Sequence, residues 1–167
     1  LASWKDNKLT HYPELDGQVI EALLEDRDGT IWVAGWAPSV GRLCRIESGN
    51  IECYGEDGRL GSGVTSLYAD SSGNLWAGAA NGLWRWKPGP PKHYLGSGPL
   101  TSRQALIEGD KGALLIAATS GISQLVDGQI EQFPVPVAAR RFTNSRLFRD
   151  RDGGLSIGSL GGGLEHV

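Results

Sequence analysis

The sequence predicts an all-β fold: a segment of a β-propeller built from four-stranded antiparallel blades. Three observations carry this. First, a turn-and-strand motif recurs. Asp26-Arg27-Asp28-Gly29-Thr30-Ile31-Trp32-Val33-Ala34 returns as Asp70-Ser71-Ser72-Gly73-Asn74-Leu75-Trp76-Ala77-Gly78. It returns again as Gly109-Asp110-Lys111-Gly112-Ala113-Leu114-Leu115-Ile116-Ala117 and as Asp150-Arg151-Asp152-Gly153-Gly154-Leu155-Ser156-Ile157-Gly158. Second, the turn glycines Gly29, Gly73, Gly112 and Gly153 lie 44, 39 and 41 residues apart. Third, each interval holds four short strand signals, and a period of about 40 residues with that content marks a propeller blade.

Each unit reads in the same order. The first strand (a) alternates apolar and polar residues over Ile20 to Leu24, Val64 to Tyr68, Ala105 to Ile107 and Ser145 to Phe148, as a half-buried strand does. Leu23, Leu67, Leu106 and Leu147 fall in one column. An Asp/Gly turn follows, because Gly accepts positive φ and Asp bonds its own nearby backbone. The second strand (b) carries Trp32 and Trp76, replaced by Leu115 and Ser156 in the later units. Small residues lead to Gly82-Leu83, Gly121-Ile122, Gly163-Leu164 and, with one extra residue, Gly41-Arg42-Leu43.

The third and fourth strands (c and d) form a tight hairpin around Asp6-Asn7, Ser48-Gly49, Pro88-Gly89 and Asp127-Gly128. Asp-Gly and Asn-type pairs reach the left-handed dihedrals of two-residue turns, whereas Pro88-Gly89 predicts a looser hairpin. An aromatic follows each turn: Tyr12, Tyr54, Tyr94 and Phe133. Trp32, Trp76 and this aromatic column are read as packing between blades.

The ends repeat a strand. Leu1 to Lys5 aligns with Leu83 to Lys87, and Leu164 to Val167 is again a strand c. The units are approximately 1–15 (outer half of a blade), 18–55, 62–95, 102–134 and 143–167 (inner half), about four blades in all. A duplicated strand c, a first residue Leu1 and the absence of Met predict a piece of a larger array. Incomplete edges leave self-association as another way to complete a ring.

At 167 residues and net charge −3, the chain carries no electrostatic footprint for nucleic acid. No apolar run approaches the ~18 residues of a membrane span.

The chemistry-bearing residue types have structural explanations. Asp26-x-Asp28-Gly29 and Asp150-x-Asp152-Gly153 open like calcium loops, but the twelfth positions are Ala37 and Gly161 where a Glu is needed. A Ser-x-Asp-x-Gly-x-Thr-Trp box fails in three units, where Arg27, Ser71 and Arg151 replace its Asp. His11 and His93 fall at one repeat position, and His166 stands alone. No nucleophile elbow or metal-ligand spacing occurs. No catalytic residue, metal site or cofactor is expected.

Specificity is expected in the loops of one face, the d-to-a and b-to-c connections. The longest b-to-c loop, residues 35–42, holds Trp36 and Arg42, an aromatic and a guanidinium suited to stack on and bond a sugar. Arg140 and Arg141, in the last d-to-a loop, are candidates for an anionic group. Counting outward from Ser48-Gly49 sets Cys44 opposite Cys53 at a non-hydrogen-bonded pair, within reach of a disulfide. Two adjacent free thiols satisfy the same geometry.

The run Gly63 to Leu83, Gly-x-Val-Thr-Ser-Leu-x-x-Asp-x-x-Gly-Asn-Leu-Trp-x-Gly-x-x-x-Gly-Leu, resembles the two-component regulator propeller repeat. Residues 18–43 match it with an insertion, and residues 103–122 and 144–164 more faintly. The resemblance implies a seven-bladed parent propeller lying outside the cytoplasmic membrane, in the periplasm. It implies a sensor region of a hybrid histidine kinase or cyclase-linked regulator. Its exported context favours a Cys44–Cys53 bond. The expected role is non-catalytic sensing of an unknown small ligand such as an oligosaccharide. The alternatives are a propeller lyase resembling streptogramin lyases and a protein-interaction scaffold.

Overall fold

Among the described residues, alternating side chains and glycine-bearing turns give seventeen short strands in five successive antiparallel sheets. The computed structural model describes residues 1–95, 104–135, 146–159 and 162–167. Strands β1 (Ala2–Lys5) and β2 (Lys8–His11) form a lone hairpin. The first complete blade is β3 (Val19–Glu25), β4 (Ile31–Ala37), β5 (Val40–Glu47) and β6 (Asn50–Tyr54). The second is β7 (Val64–Ala69), β8 (Leu75–Ala79), β9 (Gly82–Lys87) and β10 (Lys92–Tyr94). The third is β11 (Ala105–Glu108), β12 (Leu114–Ala118), β13 (Gly121–Val126) and β14 (Gln129–Gln132). The last sheet has three strands, β15 (Arg146–Arg149), β16 (Leu155–Ser159) and β17 (Gly163–His166). The only helical turns among the described residues are two three-residue 3-10 segments, Pro13–Leu15 and Asp110–Gly112.

The blades stack face to face. Successive residues of a strand point to opposite faces. In β4, Trp32 and Ala34 therefore pack toward the second blade, and Val33 packs back toward the first hairpin. In β8 the same alternation sends Ala77 to the first blade and Trp76 to the third. Both faces being covered, β8 and β12 are buried at every residue and read as unbroken small or apolar runs. Leu43, Leu83 and Ile122 occupy one position of successive c strands and are fully buried. Burying each stabilises the stack by about 1.5–3 kcal/mol. The inner strands β3, β7, β11 and β15 neighbour one another in turn.

Turn chemistry sets the hairpins. Asp6-Asn7, Ser48-Gly49 and Asp127-Gly128 all have positive φ at both positions, the primed turn that matches strand twist. The β9–β10 ladder ends at Arg85 and Lys92, so Trp86 and Lys87 extend β9 beyond its partner and the connection to β10 is wider than a two-residue turn. Cys44 lies opposite Cys53 with Cα atoms 4.0 Å apart, joined by a disulfide.

One expectation is corrected. Residues 35–42 are not a long loop. The ladder between β4 and β5 continues to Ala37 opposite Val40, so only Pro38-Ser39 turns. The extra residues lengthen two strands because each added pair gains ladder hydrogen bonds that a loop would leave to solvent.

Candidate functional site

The a-to-b turns are built around one carboxylate. Oδ1 of Asp26 accepts the amides of Asp28 and Thr30 at 2.9 and 3.1 Å, and Oδ2 accepts the Trp32 indole N–H at 2.8 Å. Asp70 repeats this with Ser72, Asn74 and Trp76 at 3.0, 2.8 and 2.7 Å. Gly29 and Gly73 close these turns at φ 79° and 83°, which side chains rarely adopt. Asp-x-x-Gly-x-x-Trp is therefore one hydrogen-bonded unit, and these residues hold the scaffold. Sequence reading assigned the Asp to the turn and the Trp to packing; the bond between them was missed.

Neighbouring blades are clasped on this same turn face. Lys87 Nζ reaches Asp26 Oδ2 at 2.8 Å and Asp28 Oδ2 at 2.7 Å. Burial on its own raises the Asp26 carboxyl pKa, but the Lys87 ammonium, the Trp32 indole and the Thr30 and Asp28 amides outweigh it, so the pKa lies below 3.8. Lys87 is held above 10.5, first by Asp26 and then by Asp28. At the next junction, Glu108 accepts the Ser71 amide at 2.9 Å and also bonds its hydroxyl. At the third, Arg149 pairs with Asp110.

On the opposite face, the structure separates the residues expected to bind ligand. Trp36 pairs with Gly41 and Arg42 with Gly35, so alternation puts the two side chains on opposite faces of the blade. Trp36 lies over Gly63. The Arg42 side chain, mostly buried, bonds Glu56 at 2.7 Å. They form no joint clamp. Arg140 and Arg141 lie outside the described residues.

A different concavity lies where the inner strands begin. Glu21, Thr65, Ser66, Gln104 and Arg146, drawn from four successive units, line an axial groove of about 370 Å³ floored by the leucine column. Two of them sit at irregularities of the ladder. Pairing shifts between Ile20 and Ala22 in β3, and between Val64 and Ser66 in β7. Glu21 and Thr65 are the extra residues of these bulges, devices that re-aim a side chain. Gln104 is buried, and its amide donates to the Ala79 carbonyl at 3.1 Å. Ser66 Oγ lies against Gly78, where a Cβ would come within 2.3 Å of it. The floor is partly open, with Leu23 exposed. A carboxylate, hydroxyls, an amide and a guanidinium beside leucines offer donors and acceptors next to apolar surface. Nothing local in the sequence marks the bulges, because Ile20-Glu21-Ala22 and Val64-Thr65-Ser66 read as ordinary alternation.

His93 stacks on Trp84 with ring centroids 4.3 Å apart, and His11 pairs with Asp16 at 3.2 Å. His166 is not isolated. Its Nδ1 lies 3.0 Å from Ser156 Oγ and its Nε2 3.8 Å from Asp150 Oδ2. This line replaces the Asp–Trp pair, since Ser156 stands where the tryptophans stand and the imidazole lies over Gly154. Among the described residues, no group of three or more His, Cys, Asp or Glu is arranged to hold a metal ion. No helix among them is long and apolar enough to cross a membrane.

Residues 14–37 and 57–81 match the model of the two component regulator propeller family. The third and fourth units, with Leu115 and Ser156 in place of Trp, fall outside the matched segments. No curated protein sequence matches the chain. Among solved structures, it is similar to the extracellular domain of a one component system from B. thetaiotaomicron, with TM-score 0.71, 18% identity, and coverage of 99% of this chain and 24% of that one. It is similar to the extracellular domain of a hybrid two component system from the same organism, with TM-score 0.69, 21% identity, and coverage of 96% and 22%. It also resembles streptogramin B lyase, with TM-score 0.66, 20% identity, and coverage of 88% and 53%. The chain thus spans about half of the lyase and no more than a quarter of the extracellular domains. At these identities the likeness shows the propeller fold.

Proposed function

We propose that this propeller, which carries repeats of the two-component regulator type, is a non-catalytic sensing module of a bacterial signalling protein, placed outside the cytoplasm. Its ligand is a small polyhydroxylated molecule of the oligosaccharide class, bound in the axial groove. The observation that carries the reading is the pair of bulges. At one equivalent position of two successive units they turn different side chains, Glu21 and Thr65, toward the groove, beside Gln104 and Arg146. A repeated scaffold with its variation concentrated at one mouth suits recognition. The recurring Asp, Gly and Trp residues are spent on the turn unit and so supply no reacting group. A ligand that binds one arrangement of the domain or dimer more tightly than another supplies the signal through that difference.

The test is calorimetric titration of a panel of neutral oligosaccharides. Glu21→Ala and Thr65→Ala should each weaken a binding sugar by at least about tenfold, equivalent to about 1.4 kcal/mol. Arg42→Ala, at a residue outside the groove, should leave affinity unchanged. Equal affinity in both groove variants removes the groove. Turnover of a bound sugar by pure protein moves the chain to the lyase class suggested by its likeness to streptogramin B lyase.

A further inference from the structure

The three complete blades carry one column of polar residues beside the b strand, and the second blade fills it differently. In the first blade, Arg45 lies between Trp32 and Glu52 in the register. Its Nε and Nη2 both reach Glu52 Oε2, at 2.9 and 2.6 Å. In the third blade, Gln124 lies between Leu115 and Glu131 and donates to that carboxylate at 2.7 Å. In the second blade, Arg85 lies between Trp76 and Lys92. An ammonium stands where the other two blades have a carboxylate, and like charges directly opposite each other on a sheet repel.

Among the described residues, nothing neutralises Arg85. Its Nε, the donor that Glu52 satisfies in Arg45, is buried without a hydrogen-bond partner, and its guanidinium has no ion pair. Arg42 also buries an Nε, but its guanidinium pairs with Glu56. A buried charged donor with no acceptor bears its full desolvation cost. Alternation puts Arg85, Lys92 and Tyr94 on the face of Trp76, toward the third blade. Lys92 Nζ lies 4.8 Å from the centroid of the Tyr94 ring and 4.0 Å from the point a Cβ would occupy at Gly128. A cavity of about 380 Å³ is lined there by Lys92, Tyr94, Gly128 and Ile130. The third blade spends its hairpin carboxylates elsewhere. Glu131 accepts from Gln124, and Asp127 lines a separate cavity with Asp110 and Gln124.

We propose that Arg85 and Lys92 form a binding site for a tetrahedral oxyanion of the sulfate and phosphate class, free or carried as an ester on a larger molecule. The guanidinium offers its planar fork to two oxygens, and the ammonium acts as a point charge on the same group. The anion takes the place that the Glu52 carboxylate holds in the first blade. The site lies on the outer strands at the junction of the second and third blades. It shares no residue with the axial groove, so it stands whatever the groove binds.

NMR titration of the whole chain tests this, with the Arg85 side-chain Nε–H resonance as the probe. Inorganic sulfate is added at constant ionic strength held with sodium chloride, and a monosulfated glucose and plain glucose are added in parallel. The resonance should shift and saturate with sulfate and stay still with glucose. Equal affinity for sulfate and for the sulfated sugar identifies a site for the free ion, and tighter binding of the sulfated sugar identifies the ester. Lys92→Gln, at an exposed position, should keep the circular dichroism and weaken sulfate by at least about tenfold. Lys92→Glu rebuilds the arginine–glutamate pair of the first blade. It should raise the thermal midpoint in the absence of sulfate and abolish the response to it. An Arg85 resonance that moves with neither sulfate nor the sulfated sugar overturns the proposal. So does an affinity unchanged in Lys92→Gln, or a sulfate response that survives Lys92→Glu.

Discussion

The first two blades and the third solve the same turn differently. In the first two, a buried carboxylate gathers two backbone amides and an indole N–H. In the third, Gly109 stands for the Asp and Leu115 for the Trp. The turn keeps the backbone bond that the other units also make, here from the Gly109 amide to the Ala113 carbonyl at 2.7 Å, and has Lys111 at φ 54° with no carboxylate at its centre. Both partners of the hydrogen bond are missing together. An orphaned buried acceptor costs its full desolvation, whereas replacing both partners with groups that need no bond is nearly neutral. The last sheet keeps Asp150 and lacks the Trp, and there His166 lies over the turn. The Asp and Trp of this repeat are thus one energetic unit, lost together or re-partnered.

The largest test of that comparison converts the second blade into the third. Trp76→Leu removes ring volume and one of the two donors to Asp70 Oδ2, leaving the Asn74 side-chain amide, for an expected loss of about 3–5 kcal/mol in urea unfolding. Adding Asp70→Gly should cost less than the two single changes summed, with a coupling of about 1–2 kcal/mol. Strict additivity would mean that the Trp contributes through packing alone.

A second contrast lies in the outer hairpins. Cys44 and Cys53 occupy the register positions that Trp84 and His93 fill in the second blade. One blade is stapled covalently where the next uses a stacked pair. Replacing both cysteines by serine should destabilise the fold by about 2 kcal/mol, a modest effect because the closed loop is short. Denaturant midpoints with and without reductant read it, and free-thiol counting on the unfolded protein should find none. Two titratable thiols would show that both hairpins stand without a staple.

The smallest expected effect separates the first blade from the second, since only Asp26 has a lysine clasp from its neighbour. Its lowered pKa means that its contribution is present above about pH 3.8 and is lost as pH falls through the lowered value. Lys87, raised above 10.5, contributes fully below 10.5, and that share is lost as pH rises through its higher value. Lys87→Met should cost about 1 kcal/mol, discounted because the ammonium is partly solvated. It should also move the Asp26 titration upward in carboxyl-carbon NMR. An Asp26 titration unchanged by the substitution would show that the indole and amides suffice.

Much of the fold is local and so was legible. Turn residues select hairpin geometry, hairpin geometry fixes register, and register alone sets Cys44 opposite Cys53 and Trp4 opposite Leu9. The period of the motif gave strand order and blade count for the same reason. The groove was not legible. Its bulges displace Glu21 and Thr65 without any Gly or Pro to announce them, and its wall is drawn from four units that only stacking brings together. Nor did residue types reveal that an insertion after Trp36 would extend β4 and β5 and turn Trp36 and Arg42 to opposite faces. Lys87 meets Asp26 across 61 residues of chain. By itself the sequence determined which residues turn and which alternate, because those preferences act over a few bonds. Only the tertiary structure decided which faces meet and which side chains share a surface, because that depends on how one blade packs against the next.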